Sequence, residues 1–121
     1  MPDKAKCFED LVVWQKAHSL VLAVYEITKD FPADEKFGIT SQMRRAGVSI
    51  AANIAEGFKK RGIKDKSNFY NISQGSLEEL RYFFILAKDL GYLNDNEALL
   101  SNIDEVGRML YGLLNSIGPR R

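Results

Sequence analysis

The chain has 121 residues, and its seventeen basic and sixteen acidic side chains leave a net charge of +1, which does not by itself indicate an anionic partner. A chain of this length is expected to form one domain whose core is stable without disulfides. Its single cysteine, Cys7, excludes an intramolecular disulfide and a thiolate metal cluster. The start MPDKAKCFED is half charged, and the longest low-charge run, residues 46–55, is about half the length that crosses a bilayer. We therefore expect a cytoplasmic protein without a membrane partner.

Glycine and proline divide the chain into four runs. The breaks are Phe31-Pro32, the KRG at 60–62, Gly91 with Asn94, and Gly118-Pro119. The runs between them are residues 9–31, 39–60, 66–90 and 95–117. Each run repeats apolar residues at steps of three and four, which predicts helices. Short connections favour antiparallel neighbours, so the sequence predicts an all-α, antiparallel up-down-up-down four-helix bundle over residues 9–117, with short tails at 1–8 and 118–121.

The last run has the clearest helical pattern. Its apolar residues form a ladder that one face of a helix would bury: Leu99, Ile103, Val106, Leu110, Leu113 and Ile117. Asn94, followed three residues later by Glu97, has the spacing of a capping box. The sequence therefore predicts that Asn94 caps this helix.

The second run contains SQMRRAGVSIAANIAEG, in which two arginines precede a stretch of small residues. At about 100° per residue, Arg45 joins a polar stripe with Asn53 and Glu56. Arg44 instead lies in a small apolar surface, whose residues let another helix approach closely. That surface consists of Gly47, Ala51 and Ala55. The two arginines are therefore predicted to have different surroundings.

The third run carries a second patch of small residues, Ser73, Gly75 and Ser76, which is expected to meet the small surface of the second helix. Glu79 lies at the margin of its apolar face. We hypothesise that Arg44 and Glu79 form a bidentate ion pair, within one chain or between subunits. The alternative is that both side chains extend to water.

The first run, which includes Trp14, is apolar over roughly 220° of a helix, whereas a core-facing stripe needs somewhat more than about 100°. Tyr82 and Ile85 on the third run add apolar surface away from its core. Self-association is the economical explanation, because soluble monomers seldom expose large contiguous apolar patches. The alternative is that these residues are scattered surface apolars, which are common.

Catalytic and metal-binding patterns do not appear in the sequence. His18, the single histidine, has no second histidine or cysteine at a zinc spacing. Phosphate-binding glycine loops and a nucleophile elbow are also missing. Glu78 and Glu79 lack the paired histidine of di-iron bundles. We therefore expect no catalytic residue, no cofactor, no bound metal and no enzymatic activity.

The charges are distributed unevenly between the two ends of the predicted bundle. One end gathers the N-terminus, the segment KKRGIKDK and the C-terminus, with nine basic residues against four acidic ones, whereas the other end has three basic against six acidic. The basic end predicts salt-sensitive binding to a phosphate backbone with little sequence preference. The residues expected to bind it are Lys59, Lys60, Arg61, Lys64, Lys66, Arg120 and Arg121. The alternative is that the lysines only cap helix ends and solvate a loop.

Four segments of the chain together resemble a known family. They are FEDLVVWQKAHSL, FGITSQMRRAGVSIAANIAEGF, YNISQGSLEELRYF and GYLND. They are similar to the four-helix-bundle proteins encoded in intervening sequences of bacterial 23S rRNA genes, over about residues 8–117. The resemblance implies a homopentamer, and its signature includes Gly57. The other signature positions, which we assign to structure and assembly, are Trp14, Arg44, Arg45, Asn53, Glu56, Gly75, Ser76 and Glu79.

A relative implied by this resemblance is the accessory protein of diversity-generating retroelements, which partners a reverse transcriptase and binds nucleic acid. Those relatives are strongly basic, whereas this chain is close to neutral. We expect a non-enzymatic homo-oligomer that acts as a nucleic-acid-associated adaptor through its basic end, with an RNA or DNA backbone as its partner. The alternative is a structural or protein-binding oligomer without a nucleic-acid role.

Overall fold

The computed structural model describes residues 5–117, and helices account for most of them. The four long helices are α1 (Val12–Thr28), α2 (Ile39–Lys59), α3 (Ile63–Asp89) and α4 (Glu97–Ile117). Two short 3₁₀ turns, Phe8–Asp10 and Ala33–Glu35, precede α1 and α2. The predicted all-α fold of four helices is confirmed. The predicted break at Gly118-Pro119 and the C-terminal tail lie outside the described residues.

The helices pack as a bundle in which each one touches two neighbours, α1 with α2, α2 with α3, α3 with α4, and α4 with α1. At each interface between consecutive helices, later residues of one helix contact earlier residues of the other. Two contacts show this order at each interface: Thr28 with Arg44 and Val21 with Gly47, Ser49 with Ser76 and Gly57 with Tyr70, and Phe84 with Asn96 and Leu77 with Gly107. Consecutive helices therefore run in opposite directions.

The first helix is shorter than its apolar pattern predicts. Leu11 has an extended backbone between the 3₁₀ turn and α1, so the helix begins at Val12 and not at residue 9. The third helix is longer than predicted, because the extended residue Gly62 ends the turn and lets α3 begin at Ile63. Both differences concern helix ends, where local backbone geometry and not the apolar period sets the boundary.

The core lies along the axis of the bundle and receives side chains from all four helices. Its largest fully buried members include Tyr70, Phe84, Leu20, Met43, Ile50, Ile54, Leu80 and Leu110. The ladder predicted for α4 is confirmed: Ile103, Val106 and Leu110 are buried, and Leu99, Leu113 and Ile117 pack against the core. Burial of each large apolar side chain stabilises the fold by about 1.5–3 kcal/mol relative to exposure.

Small residues bring α2 and α3 close together. An added Cβ at Gly57 would lie 2.6 Å from the ring of Tyr70, which is fully buried and cannot move aside. Three residues after Tyr70 on α3, the buried Ser73 hydroxyl donates to the Ile50 carbonyl of α2 at 2.9 Å. Any side chain larger than hydrogen at position 57 would therefore force the two helices apart.

The connection from α3 to α4 is built on a left-handed glycine. Gly91 has a φ of +84°, a conformation that side chains oppose, and its amide donates to the Lys88 carbonyl at 3.0 Å. The Tyr92 amide then donates to the Ala87 carbonyl at 2.8 Å. These bonds satisfy carbonyls in the last turn of α3 and direct the chain back toward α4.

The prediction that Asn94 caps α4 is wrong. The Glu97 amide donates instead to the Asp95 carboxylate at 2.9 Å, and α4 begins at Glu97. Asn96 is buried, and its side-chain amide donates to the Phe84 carbonyl at 3.2 Å. The Asn96 carbonyl accepts from the Leu100 amide at 2.9 Å, so Asn96 is the residue that precedes the helix, two positions later than the spacing predicts.

Gly57→Ala is expected to lower the free energy of unfolding by about 1–3 kcal/mol, because the added methyl group would overlap the buried Tyr70 ring. Gly75 also lies within a helix but is exposed, with open space where a Cβ would stand. Gly75→Ala should therefore stabilise the fold by about 0.5–1 kcal/mol. Urea unfolding followed by circular dichroism measures both changes. Equal effects at the two glycines would contradict the close α2–α3 approach.

Candidate functional site

The turn between α2 and α3 concentrates positive charge. Extended backbone at Lys60 and Gly62 reverses the chain between the two helices within a few residues. Lys59, Arg61 and Lys64 are exposed, and none of the three makes an ion pair among residues 5–117. Lys60 is half-buried, with its ammonium 5.2 Å from the centre of the Phe69 ring. We call these four cations, Lys59, Lys60, Arg61 and Lys64, the basic turn.

Lys66 has a structural position that differs from the other predicted cations. Its ammonium donates to the Gly57 carbonyl at 3.1 Å and to the Phe58 carbonyl at 2.8 Å, and it lies 5.4 Å from the Phe58 ring centre. These carbonyls belong to the last turn of α2, where a cation also complements the helix dipole. Burial lowers the pKa of Lys66. Lys66 therefore caps α2, as the alternative interpretation of the basic end proposed.

The N-terminal segment lies beside the same end of the bundle. Residues 6–9 and the last turns of α2 line an open cavity of about 430 Å³. Lys6 and Lys59 line the cavity together with two carboxylates, Glu9 and Glu56, so the cavity carries both positive and negative charges. The predicted approach of the N-terminus to the α2–α3 connection is confirmed for these residues. Lys4, Arg120 and Arg121 lie outside the described residues.

The single thiol lies in this segment. Cys7 is exposed. Its pKa is raised, mainly by a hydrogen bond with Glu9 and to a smaller extent by partial desolvation and by the negative charge of Asp10. A raised pKa keeps the thiol protonated and makes it a poor nucleophile. Residues 5–117 also hold no group of three or more His, Cys, Asp or Glu side chains placed to bind a metal ion.

Arg44 contacts α1 and not α3. Its Nε donates to the Thr28 hydroxyl at 2.9 Å, and its guanidinium carbon lies 4.6 Å from the centre of the Tyr25 ring. Thr28 is buried and in turn donates to the Val24 carbonyl at 2.7 Å. The hypothesis of an Arg44–Glu79 ion pair within one chain is therefore wrong. A helical wheel places Arg44 among small residues but does not identify the helix that lies opposite them.

The small residues of α2 also face a different neighbour from the one predicted. An added Cβ at Gly47 would lie 3.8 Å from the Val21 backbone on α1, and Ala51 and Ala55 line a cavity with α1 residues. The serines of α3 contact α2 elsewhere, where the Ser49 and Ser76 hydroxyls lie 2.7 Å apart. The two predicted small patches exist, but they do not meet each other.

Arg45 and Glu79 share an open groove of about 460 Å³ between α2 and α3. Both side chains are exposed, and neither makes an ion pair or a side-chain hydrogen bond within residues 5–117. Half-buried Asn53 donates to the Ser49 carbonyl at 2.8 Å and to its hydroxyl at 3.1 Å. Of the polar stripe predicted for the second helix, Arg45 lines this groove, whereas Glu56 lines the cavity beside the basic turn. We name the groove the Arg45–Glu79 groove.

An apolar surface lies on the other side of α2, where α2 meets α1. Trp14 and His18 stack with ring centres 4.9 Å apart, and Phe8 packs edge-on against Trp14 at 5.0 Å. Tyr25 and Val48 continue this surface, and they are 41% and 44% exposed. We call these five residues the α1–α2 face. Trp14 and Tyr25 belong to the apolar surface that the sequence predicts for the first helix, whereas Phe8 precedes α1 and Val48 lies on α2.

Two residues of the site are not among those predicted from the sequence. Phe37 precedes α2 and is 88% exposed at the rim of the Arg45–Glu79 groove, although a phenylalanine near a helix start is usually expected to pack inward. Thr28, the partner of Arg44, is a second such residue. Its position four residues after Val24 continues the apolar ladder of the first run and is the available signal, because a threonine can be buried when its hydroxyl donates to the carbonyl four residues earlier.

Comparisons with known proteins agree with this fold. The family model described as 23S rRNA-intervening sequence protein matches residues 9–112. The chain belongs to this family. A crystal structure of a protein with unknown function from the S23 ribosomal protein family of Bacteroides thetaiotaomicron VPI-5482 superimposes with a TM-score of 0.79. It is 24% identical in sequence, and the match covers 86% of this chain and 96% of that one. No curated protein matches the chain.

The family and the solved structure therefore establish a shared fold whose function is unknown. Within residues 5–117 no helix combines the length and the apolar character needed to cross a membrane.

Arg44→Met is expected to lower the free energy of unfolding by about 1–2 kcal/mol, because Thr28 loses a charged hydrogen-bond donor. Glu79→Leu should change it by less than about 0.5 kcal/mol, because Glu79 is exposed and unpaired within the chain. Urea unfolding of both variants and of the double variant gives these values. A loss for Glu79→Leu that equals that of Arg44→Met, with no further loss in the double variant, would instead indicate a pair between subunits.

Proposed function

We propose that this protein is a non-enzymatic, cytoplasmic homo-oligomer that binds the phosphate backbone of nucleic acid through its basic turn. The observation that carries the proposal is the set of three exposed cations, Lys59, Arg61 and Lys64, without an acidic partner among the described residues. Exposed cations that are not neutralised by their own chain are available to phosphate groups, which carry one charge per nucleotide.

The geometry of the turn supports backbone contact and argues against base recognition. The basic turn comprises the end of α2, the connection and the start of α3, and within residues 5–117 no separate helix or strand extends beyond it that could enter a groove. Lys60 is held near Phe69, and Lys66 is occupied by the α2 carbonyls. The proposed contact is therefore electrostatic, sensitive to salt and weakly dependent on sequence.

Self-association would strengthen such a contact. A few phosphate contacts from one turn give weak binding at physiological salt, whereas several turns on one assembly act together. The α1–α2 face is the surface we propose for contact with a second copy, because it joins partly exposed aromatic and aliphatic residues next to the Arg44 guanidinium. Five copies is the number that the family resemblance implies.

A structural or protein-binding oligomer is the second candidate function. The specific observation in its favour is the mixed charge of the cavity beside the basic turn, where Glu9 and Glu56 accompany Lys6 and Lys59. Carboxylates this close reduce the positive potential that attracts a polyanion.

Replacing Lys59, Arg61 and Lys64 together by alanine is expected to weaken binding to a structured rRNA fragment by at least about tenfold at low salt. The dependence of log K on log salt should become shallower by roughly 3, about one unit for each lost phosphate contact. Filter binding over a range of salt concentrations provides both numbers.

The matched control removes three lysines from the opposite end, Lys29, Lys36 and Lys88, which makes the same change in net charge. It should reduce binding much less than the basic-turn variant. No binding by the natural chain at low salt would contradict the proposal. So would a natural affinity that the basic-turn variant retains.

Val48→Glu is expected to break the assembly, because it places a charge in the middle of the α1–α2 face, while the 44% exposed site tolerates the change in the single bundle. Light scattering combined with size-exclusion chromatography measures the mass of each variant. Tyr111→Glu is the control, since Tyr111 is 62% exposed on α4, away from this face. A natural chain that is already monomeric, or assembly lost only in the Tyr111 variant, would show that the face is not the interface.

A further inference from the structure

The Arg45–Glu79 groove lies along the side of the bundle, separate from the basic turn. It presents opposite charges from opposite walls, with Arg45 on α2 and Glu79 on α3. Two exposed opposite charges across a groove could neutralise each other, yet their charged groups are more than 4.0 Å apart and form no ion pair. Each charge is therefore available to a third group placed between them.

The groove also provides a hydroxyl donor fixed by a side-chain network. The Asn53 amide donates to the Ser49 oxygen at 3.1 Å, and the Ser49 and Ser76 hydroxyls share one hydrogen bond of 2.7 Å. Two hydroxyl groups carry two hydrogens, and the bond between them uses one. The other hydrogen is free for donation to a ligand in the groove, which both serines line.

Two apolar residues also line the groove. Ala46 is 3% exposed, and the almost fully exposed ring of Phe37 stands at the rim. The volume of about 460 Å³ lies within the range of natural small-ligand sites. A ligand that fits this arrangement has charges at its ends and carbon atoms between them.

We propose that the Arg45–Glu79 groove binds a ligand in which a carboxylate and an ammonium group are joined by a short aliphatic segment. The carboxylate accepts from the Arg45 guanidinium and from a serine hydroxyl, the ammonium group donates to the Glu79 carboxylate, and the aliphatic segment packs on Phe37 and Ala46. A phosphate backbone is disfavoured here, because Glu79 would repel it. This site is therefore distinct from the proposed nucleic-acid contact.

The chemistry has two sources, which the test separates. One is a free amino carboxylic acid, for which 6-aminohexanoate is the probe. The other is the C-terminal lysine of another polypeptide, whose carboxylate and ammonium group are joined by the α-carbon and four methylenes, and for which an alanine-based peptide ending in lysine with a free carboxylate is the probe. Each probe is titrated into the full-length, ¹⁵N-labelled chain while the amide shifts of residues 37–49 and 76–79 are followed by NMR.

We expect saturable shifts in the groove with at least one of these probes. Hexanoate and hexylamine, which each lack one charge, should bind at least about tenfold more weakly than 6-aminohexanoate, because each leaves a charged side chain without its hydrogen bonds. If neither two-charge probe shifts the groove residues, or if hexanoate binds as well as 6-aminohexanoate, the proposal is wrong.

Substitutions at exposed positions test the two charges without disturbing the core. Arg45→Gln and Glu79→Gln should each weaken binding of the two-charge probe by about tenfold. Arg108→Gln and Glu78→Gln remove the same charges from exposed positions outside the groove and should leave it unchanged. Alanine substitutions in the basic turn should also leave it unchanged.

Exchange of the two charges gives the sharpest test. Arg45→Glu or Glu79→Arg alone makes the groove carry one sign of charge and should abolish binding. The double variant Arg45→Glu/Glu79→Arg should recover most of it, because a ligand with opposite ends can bind in the reverse direction. Failure of the double variant to recover binding, with its fold intact by circular dichroism, would overturn the assignment of these two residues.

Discussion

The close approach of α2 and α3 at Gly57 positions the basic turn and the Arg45–Glu79 groove. The buried ring of Tyr70 occupies the space that any side chain at position 57 would need, and the Ser73 hydroxyl completes the contact by donating to the Ile50 carbonyl. Two helices held this closely can be joined by a short turn, and that turn carries the exposed cations. The same pair of helices forms both walls of the Arg45–Glu79 groove.

The sequence could predict features that depend on one helix at a time. Apolar periodicity gave four helices and the buried ladder of α4, and it separated Arg44 from Arg45 correctly. It could not identify the helix that packs against each face, because a helical wheel gives the direction of a side chain but not what lies opposite it. For this reason Arg44 was paired with Glu79, when the buried Thr28 hydroxyl on α1 is its acceptor.

The candidate sites also contain residues that local sequence signals can predict and residues that depend on helix packing. The cations of KKRGIKDK could be found from the sequence alone, because charge and turn residues are local signals. The capping role of Lys66 could not, since it depends on how the first turn of α3 lies beside the last turn of α2. The groove needed the fold as well, because its charges are 34 residues apart in the chain and become neighbours only through packing.

The bonds from Lys66 to the last carbonyls of α2 affect the association rate and the entropic cost of the proposed nucleic-acid contact. They fasten the start of α3 to the end of α2, so the connecting turn is already ordered before any ligand arrives. When an anion binds to a turn that is already ordered, the protein loses little conformational entropy. Encounter should then be limited by diffusion and electrostatic steering, and not by a slow rearrangement of the loop.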